Sequence, residues 1–302
     1  MPFRLHKQET DLLTDDQRPL AVIAGWGNYP LAVAEALKKQ NRRIVGIGII
    51  DHADPKLADY CEQFDWIGIG GIGKAIRLCK RWGAQQAIMA GKLHKVMYYQ
   101  PNWWIKHRPD WKCLKAFYPQ LLGFADRKDD TLLSALVNAF AAEGIAFQNV
   151  ADVAPNLLVQ AGHIAGKPLT TKQQKDVEFG WQIAKAIGGL DIGQSVCIKD
   201  QTVIAVEAIE GTDLCIRRAG ELCTAGGMTI VKVAKPSQDM RFDVPTVGLK
   251  TLESIAAAGG KVLAIEANKT ILLDQQEFVA AARRLNVSVV AWDEANLARL
   301  AA

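Results

Sequence analysis

From Leu20 to Gly91, short β-branched runs alternate with stretches of helical spacing, and few folds accept that order. Leu20–Gly25 is apolar and stops at a glycine. Leu31–Gln40 has helical spacing, and Arg43–Ile50 is a second β-rich run that ends at Asp51. Phe64–Gly70 reads as a third strand, Lys74–Trp82 as a helix and Gln86–Gly91 as a fourth strand. Strands separated in this way predict a Rossmann-like parallel sheet with right-handed crossovers. Ligands of such sheets bind at the carboxyl ends of the strands.

The first of those ends is Gly25-Trp26-Gly27-Asn28-Tyr29-Pro30. It opens like a dinucleotide fingerprint, but Pro30 occupies the place of the third glycine. Proline suits a first helical turn, where its missing N–H costs nothing, and the neighbouring N–H groups can face an anion. Three readings stay open: a turn that caps a helix, a site for a nucleotide's phosphate or ribose, and an NAD(P) site with Asp51 as the ribose acid. From His94 to Tyr118 the periodicity lapses, and aromatics mix with bases around Trp103-Trp104, Lys106, His107 and Arg108. This reads either as a lid or lipid-facing surface or as a connection whose aromatics pack on the core. Asp129-Asp130-Thr131 starts an amphipathic helix, Leu132–Ala142, with acids suited to its positive end. Ala146–Val150 reads as a strand that closes this domain.

Pro155 and the tract Gly162–Pro168 change the texture, so the boundary falls near residue 150, with 1–150 as the N-terminal domain and 151–302 as the C-terminal one. Thr171–Ile187 is a long helix stopped by Gly188-Gly189. Gln194–Lys199 and Thr202–Ala208 form a hairpin about Asp200-Gln201, which makes this half α+β. A helix follows over Leu214–Leu222, with Thr212 or Asp213 as N-cap. Thr229–Ala234 is a strand, Leu249–Ala258 a helix, Lys261–Ala267 and Thr270–Asp274 strands, and Gln275–Leu285 the last helix, before Asn286–Trp292. Between Lys232 and Gly248 lie two lysines after the strand, an arginine, two aspartates and two prolines. Polar residues this dense, pinned by Pro236 and Pro245, read as a shaped loop on a rigid scaffold.

Composition excludes several classes. The chain has 302 residues, 49% of them hydrophobic, and a net charge of +4, too weak to argue for nucleic acid. Its six cysteines contain no CxxC pair, which fits neither a zinc pattern nor a disulfide framework. The N-terminus lacks the apolar core of a secretory signal, and no apolar run has the roughly 20 residues needed to span a bilayer. These features predict a cytoplasmic protein that at most visits a membrane surface.

Five segments carry a resemblance: Ile23–Pro30 (IAGWGNYP), Asp129–Leu136 (DDTLLSAL), Ile204–Asp213 (IAVEAIEGTD), Lys235–Gly248 (KPSQDMRFDVPTVG) and Ile265–Asp274 (IEANKTILLD). In order, from Leu20 to Trp292, the chain resembles the LpxI-type UDP-2,3-diacylglucosamine pyrophosphatases of lipid A biosynthesis, and the QDxRxDxPxxG block is the most specific part. The resemblance implies two domains with a substrate cleft between them. It implies hydrolysis of the diphosphate of UDP-2,3-diacylglucosamine to 2,3-diacylglucosamine 1-phosphate (lipid X) and UMP, with a divalent metal, usually Mg2+. It also implies a homodimer and a place in the cytoplasm, peripheral to the inner membrane. Trp26 stands where the family's glycine turn carries a smaller residue.

Diphosphate hydrolysis needs a positioned water and neutralised phosphate oxygens. The candidate catalytic residues are Asp239, Asp243 and Asp213, with Asp239 or Asp243 orienting water or binding the metal. Spacing does not choose between those two, an Arg241–Asp243 ion pair within the loop is the alternative use of these groups, and Asp213 equally suits a helix cap. Lys232, Lys235 and Arg241 are candidates for phosphate oxygens. The remaining substrate-binding candidates are Gly25, Gly27, Asn28, Tyr29, Asp130, Glu210, Thr212, Gln238 and Thr246. Two other classes compete: an NAD(P)-dependent oxidoreductase using the glycine turn and Asp51, and a non-catalytic nucleotide-sugar or lipid-binding protein.

Overall fold

The computed structural model describes residues 17–93, 103–118, 129–236, 238–241 and 244–300, without the side chains of 103–104, 129–131 and 298–300. Asp243 and the stretch 94–102, where the lid or lipid-facing surface is expected to begin, lie outside them. The chain divides into two compact units, one up to Ala154 and one from Pro155, with Asp239–Arg241 grouped with the first.

In the first unit, β1 (Leu20–Ala24) leads through α1 (Tyr29–Lys39) to β2 (Ile44–Ile49) and β3 (Gln63–Ile67). The chain continues through α2 (Ile72–Trp82), β4 (Gln86–Ala90), α3 (Trp103–Lys106), α4 (Trp111–Ala116), α5 (Asp129–Ala141) and β5 (Ala146–Phe147). All neighbouring strands are parallel, in the order β3-β2-β1-β4-β5. β1 is buried along its whole length, which is why it reads as an unbroken apolar run and not as an alternation. The strand expected over Ala146–Val150 is cut to two residues. Asn149 accepts a hydrogen bond from the Ala151 N–H at 2.8 Å and starts α6 (Val150–Val153) instead.

In the second unit the chain runs β6 (Gly162–Ala165), α7 (Thr171–Gly189), β7 (Ser195–Lys199), β8 (Thr202–Val206), α8 (Thr212–Leu222), β9 (Thr229–Lys232) and β10 (Thr246–Val247). It ends with α9 (Leu249–Ala257), β11 (Val262–Glu266), β12 (Ile271–Leu272), α10 (Gln275–Arg284), β13 (Ser288–Trp292) and α11 (Glu294–Leu300). The main sheet has the order β6-β13-β11-β9-β7-β8 and is mixed. Its centre, β9-β11-β13, is parallel, and its edges are antiparallel. The hairpin expected at Asp200-Gln201 is present. Both residues have positive φ (52° and 57°), and the buried Asp176 accepts from both amides. The α+β expectation thus describes the edges, while the centre is built from βαβ units through α9 and α10. β6 lies in the tract Gly162–Pro168, where the texture of the sequence changes. β12 pairs with β10 and not with the main sheet.

Period-two alternation decides which residues face which layer. Val196, Ile198, Val231, Val262, Ala264, Val290 and Trp292 pack with Val177, Trp181 and Ala184 of α7. The intervening Cys197, Ile230, Leu263, Ile265, Val289 and Ala291 pack with Ile216 of α8, Leu252 of α9 and Phe278 of α10. The sheet is covered on both faces, so polar side chains continuing either alternation beyond the strand ends are committed to a definite layer.

Candidate functional site

At the carboxyl end of β9 the register places Ser195 of β7 opposite Lys232. β8 returns antiparallel to β7, so Glu207, just past its end, comes alongside, and its N–H donates to the Ser195 carbonyl at 2.9 Å. All three residues continue the alternation that faces α8, and α8 begins there at Thr212. Lys232 Nζ donates to Thr212 Oγ1 at 3.0 Å, and Thr212 Oγ1 donates to Glu207 Oε1 at 2.9 Å. Ser195 Oγ lies 3.3 Å from the same hydroxyl. Lysine has no acceptor, so the threonine proton is directed to Glu207 and its lone pairs to Lys232 and Ser195. Lys232 and Glu207 are each 7% exposed. A buried cation and a buried carboxylate therefore share one hydroxyl at a helix start, and Glu207 Oε2 also accepts from the Gln194 N–H at 3.4 Å.

Neither Thr212 nor Asp213 caps α8. The N-cap is Gly211, at φ 82°, and among the described residues no side-chain cap bond is made there. Such a helix start favours an anion. Asp213 instead accepts from Ser254 Oγ at 3.3 Å, lies 3.6 Å from Lys250 Nζ, and lines a cavity of about 640 Å³ between α8 and α9 with Arg217 and Glu221. Glu210 is drawn into its own turn. It accepts from Arg218 at 2.5 Å and from the Ala208 N–H at 3.2 Å, and Arg218 holds its carboxyl below the ordinary range.

The polar loop closes on itself in two steps. Lys235 N donates to Gln238 Oε1 at 2.9 Å while Gln238 N donates to the Lys235 carbonyl at 3.1 Å, and Lys235 Nζ reaches Asp191 at 2.6 Å. Asp239 then accepts from Arg241 four times: from its N–H at 3.0 Å, from Nε at 2.9 and 3.1 Å, and from an Nη at 2.5 Å. Those bonds hold the Asp239 carboxyl below the usual range. Arg241 therefore forks onto Asp239. Thr246 donates to the Val244 carbonyl at 2.9 Å where the loop rejoins the fold through β10.

In the first unit the glycine turn follows β1 as expected, but its two glycines serve different ends. A Cβ on Gly25 would lie 2.8 Å from the Lys92 carbonyl, so Gly25 permits the close approach of the chain after β4. Gly27 has φ 104° and open space around it. Asn28 occupies the N-cap of α1 without a side-chain cap bond, Pro30 stands in the first turn, and Tyr29 is buried. Asp130 is the second residue of α5. Asp51, the ribose acid of the NAD(P) reading, follows β2. It pairs with Lys106 at 3.0 Å, the chief cause of its lowered pKa, and stands 3.7 Å from the buried His107.

Sequence reasoning did not name Glu207 and Ser195 as partners of this cluster, nor the Lys185–Glu266 pair on the opposite face. For Ser195, Glu207 and Glu266 the signal was the strand alternation. Counting in twos from Cys197 and Ile230 places Ser195 and Lys232 on one layer.

Among known proteins, the model of the LpxI N-terminal domain matches residues 19–157 and that of the LpxI C-terminal domain matches residues 160–290. The UDP-2,3-diacylglucosamine pyrophosphatase LpxI of Caulobacter vibrioides is 30% identical over 283 residues, covering 91% of this chain and 98% of that protein. Among solved structures, the Bordetella bronchiseptica enzyme WbmH in complex with NAD+ matches 42% of this chain and 37% of its own, at 14% identity and a TM-score of 0.26, which carries no argument.

Proposed function

Because the chain belongs to the LpxI family, we propose that it hydrolyses the diphosphate of UDP-2,3-diacylglucosamine to 2,3-diacylglucosamine 1-phosphate and UMP, in lipid A biosynthesis. The observation that carries this reading is identity spread over nine-tenths of the chain to a relative of that name.

The geometry supports it. Phosphoryl chemistry leaves a protein little covalent work and asks for positioning and charge. Lys232, fixed by Thr212 and Glu207 beside the uncapped start of α8, supplies a cation and amide dipoles for phosphate oxygens. Asp239, kept ionised and oriented by Arg241, serves as the carboxylate that orients the attacking water or binds metal. Lys235 and Gln238 shape the approach to it, and Asp243 is the second candidate carboxylate. In the first unit, the turn Gly25–Tyr29 and Asp130 are assigned to the rest of the substrate. Asp213, Glu210 and Thr246 are supporting residues, at one remove from the reacting atoms.

Among the described residues no three His, Cys, Asp or Glu side chains converge on a metal-sized site. Magnesium usually takes only one or two carboxylates, with water and phosphate completing its shell, and Asp239 is the carboxylate among the described residues that would hold it. When bound, the ion neutralises charge on the diphosphate oxygens.

A lipid substrate also calls for contact with a membrane surface. No helix among the described residues is long and apolar enough to cross one. Ile105, Trp111 and Leu114 are exposed on and around α3 and α4, beside Lys112 and Lys115, and an interfacial segment has this character. A homodimer completes the proposal.

The test is release of UMP from UDP-2,3-diacylglucosamine by purified protein with magnesium, abolished by EDTA. Tight substrate binding without turnover would favour the non-catalytic reading, and saturable NAD(P)H binding would favour the oxidoreductase.

A further inference from the structure

The chain leaves the second unit's sheet between two polar clusters, one on each face. The Lys232–Thr212–Glu207 cluster faces α8. On the α7 face, Glu266 continues the alternation of Val262 and Ala264 to the end of β11 and meets Lys185, whose Nζ donates to both carboxylate oxygens at 2.8 and 2.7 Å. The pair then grips one residue. The Ala234 N–H donates to Glu266 Oε2 at 2.8 Å, and the Ala234 carbonyl accepts from Lys185 Nζ at 3.0 Å. Lys269 adds a third contact to Glu266 at 3.0 Å, and the Trp181 ring centroid lies 5.8 Å from Lys185 Nζ.

Glu266 is 4% exposed. Withdrawing charges from water is costly, and a well-packed apolar pair of similar volume is often as stable or more so. Stability alone therefore gives this pair little advantage over two apolar side chains. An apolar pair cannot hold both backbone polar groups of a single residue, and that residue lies two positions after Lys232 and immediately before the Lys235–Gln238 turn.

We infer that Lys185 and Glu266 are positioning residues, which fix the direction in which the chain leaves β9 and so set where Lys235 and Gln238, at the start of the polar loop, stand for the diphosphate. The inference rests on reading that segment as the hydrolytic loop. Neither side chain is assigned any contact with substrate.

The test compares wild type, Glu266→Gln and the double variant Lys185→Met/Glu266→Leu by melting, by steady-state kinetics and by hydrogen exchange of the Ala234 and Lys235 amides. Glu266→Gln keeps an acceptor for the Ala234 N–H and is expected to fold with an intermediate kcat. The double variant leaves no buried charge alone but takes the partners from the Ala234 N–H and carbonyl, so it is expected to stay folded and to melt several degrees below wild type. Its kcat should fall by about 100-fold, as misplacement of about 1 Å costs, with KM changed far less, and its two amides should exchange at least about tenfold faster. A double variant with wild-type kcat, or with unchanged exchange at both amides, overturns the inference. If the wild type releases no UMP, the functional reading falls, while the exchange comparison still decides whether the pair holds the loop.

Discussion

Thr212→Val removes one hydroxyl and keeps the shape of the side chain. Thr212 Oγ1 is met by Lys232 at 3.0 Å, Glu207 at 2.9 Å and Ser195 at 3.3 Å. Two of those partners are charged and buried, and hydrogen bonds to charged groups are worth about 1.5–3 kcal/mol each. Thr212 itself is only partly buried, so water replaces some of the loss, and the expected cost is about 2–3 kcal/mol. For a unit of this size that is a fall in Tm of about 4–12 °C. The same change loosens the Lys232 ammonium, so kcat/KM should drop by roughly tenfold or more, the scale of one misoriented charge-assisted bond. Thr212→Ser keeps the hydroxyl and should stay within about 2 °C of wild type. Calorimetry and UMP release measure both effects. A Thr212→Val protein with wild-type Tm and kcat/KM would refute the assignment of Thr212 as the link between cation and carboxylate.

Three further outcomes are expected. Arg241 lowers the Asp239 pKa, so the carboxylate stays charged below its ordinary value of about 3.9; a group depressed in this way stabilises above its unfolded pKa and loses that stabilisation as pH falls through its folded one. Arg241→Gln should therefore move the acid limb of the rate profile to higher pH, and its stability deficit in urea melts should be present at pH 7 and fade in acid; an unmoved limb would separate Asp239 from catalysis. Gly68→Ala would place a Cβ 2.2 Å from the Lys106 carbonyl and 2.9 Å from the His107 Cα, both backbone, and should cost about 3 kcal/mol, the upper end for overpacking; Gly144→Ala, with open space around it, should cost only its positive-φ strain of about 1 kcal/mol, and equal denaturation midpoints for the two would contradict the packing of the 106–110 segment. Trp111→Ser should weaken sedimentation with anionic vesicles without changing Tm; equal binding would leave that surface without a lipid role.

Much of the fold was legible because burial on both faces writes strands as apolar runs. β1 and the hairpin at Asp200-Gln201 are examples of features carried by local chemistry. The strand expected at Ala146–Val150 was shortened because Asn149 caps a helix that takes Val150. β6 was missed because Gly162–Ala165 pairs with β13, a partner more than a hundred residues away. The site was legible in part. Lys232 and Thr212 were named separately as candidates, yet only the fold shows that they meet, and Glu207, not Glu210, is the acid that joins them. Asp51 resembled a ribose acid by its place after β2, but Lys106 comes from a segment without periodicity and claims it.

The reading of Lys232–Gly248 as a hydrolytic loop is tested most directly by UMP release from UDP-2,3-diacylglucosamine with magnesium, comparing wild type with Asp239→Asn. The account predicts equimolar UMP and 2,3-diacylglucosamine 1-phosphate from wild type. It predicts a rate lower by at least about 100-fold, the scale of losing one catalytic carboxylate, in a variant that keeps its fold. Equal rates in the two proteins would contradict it.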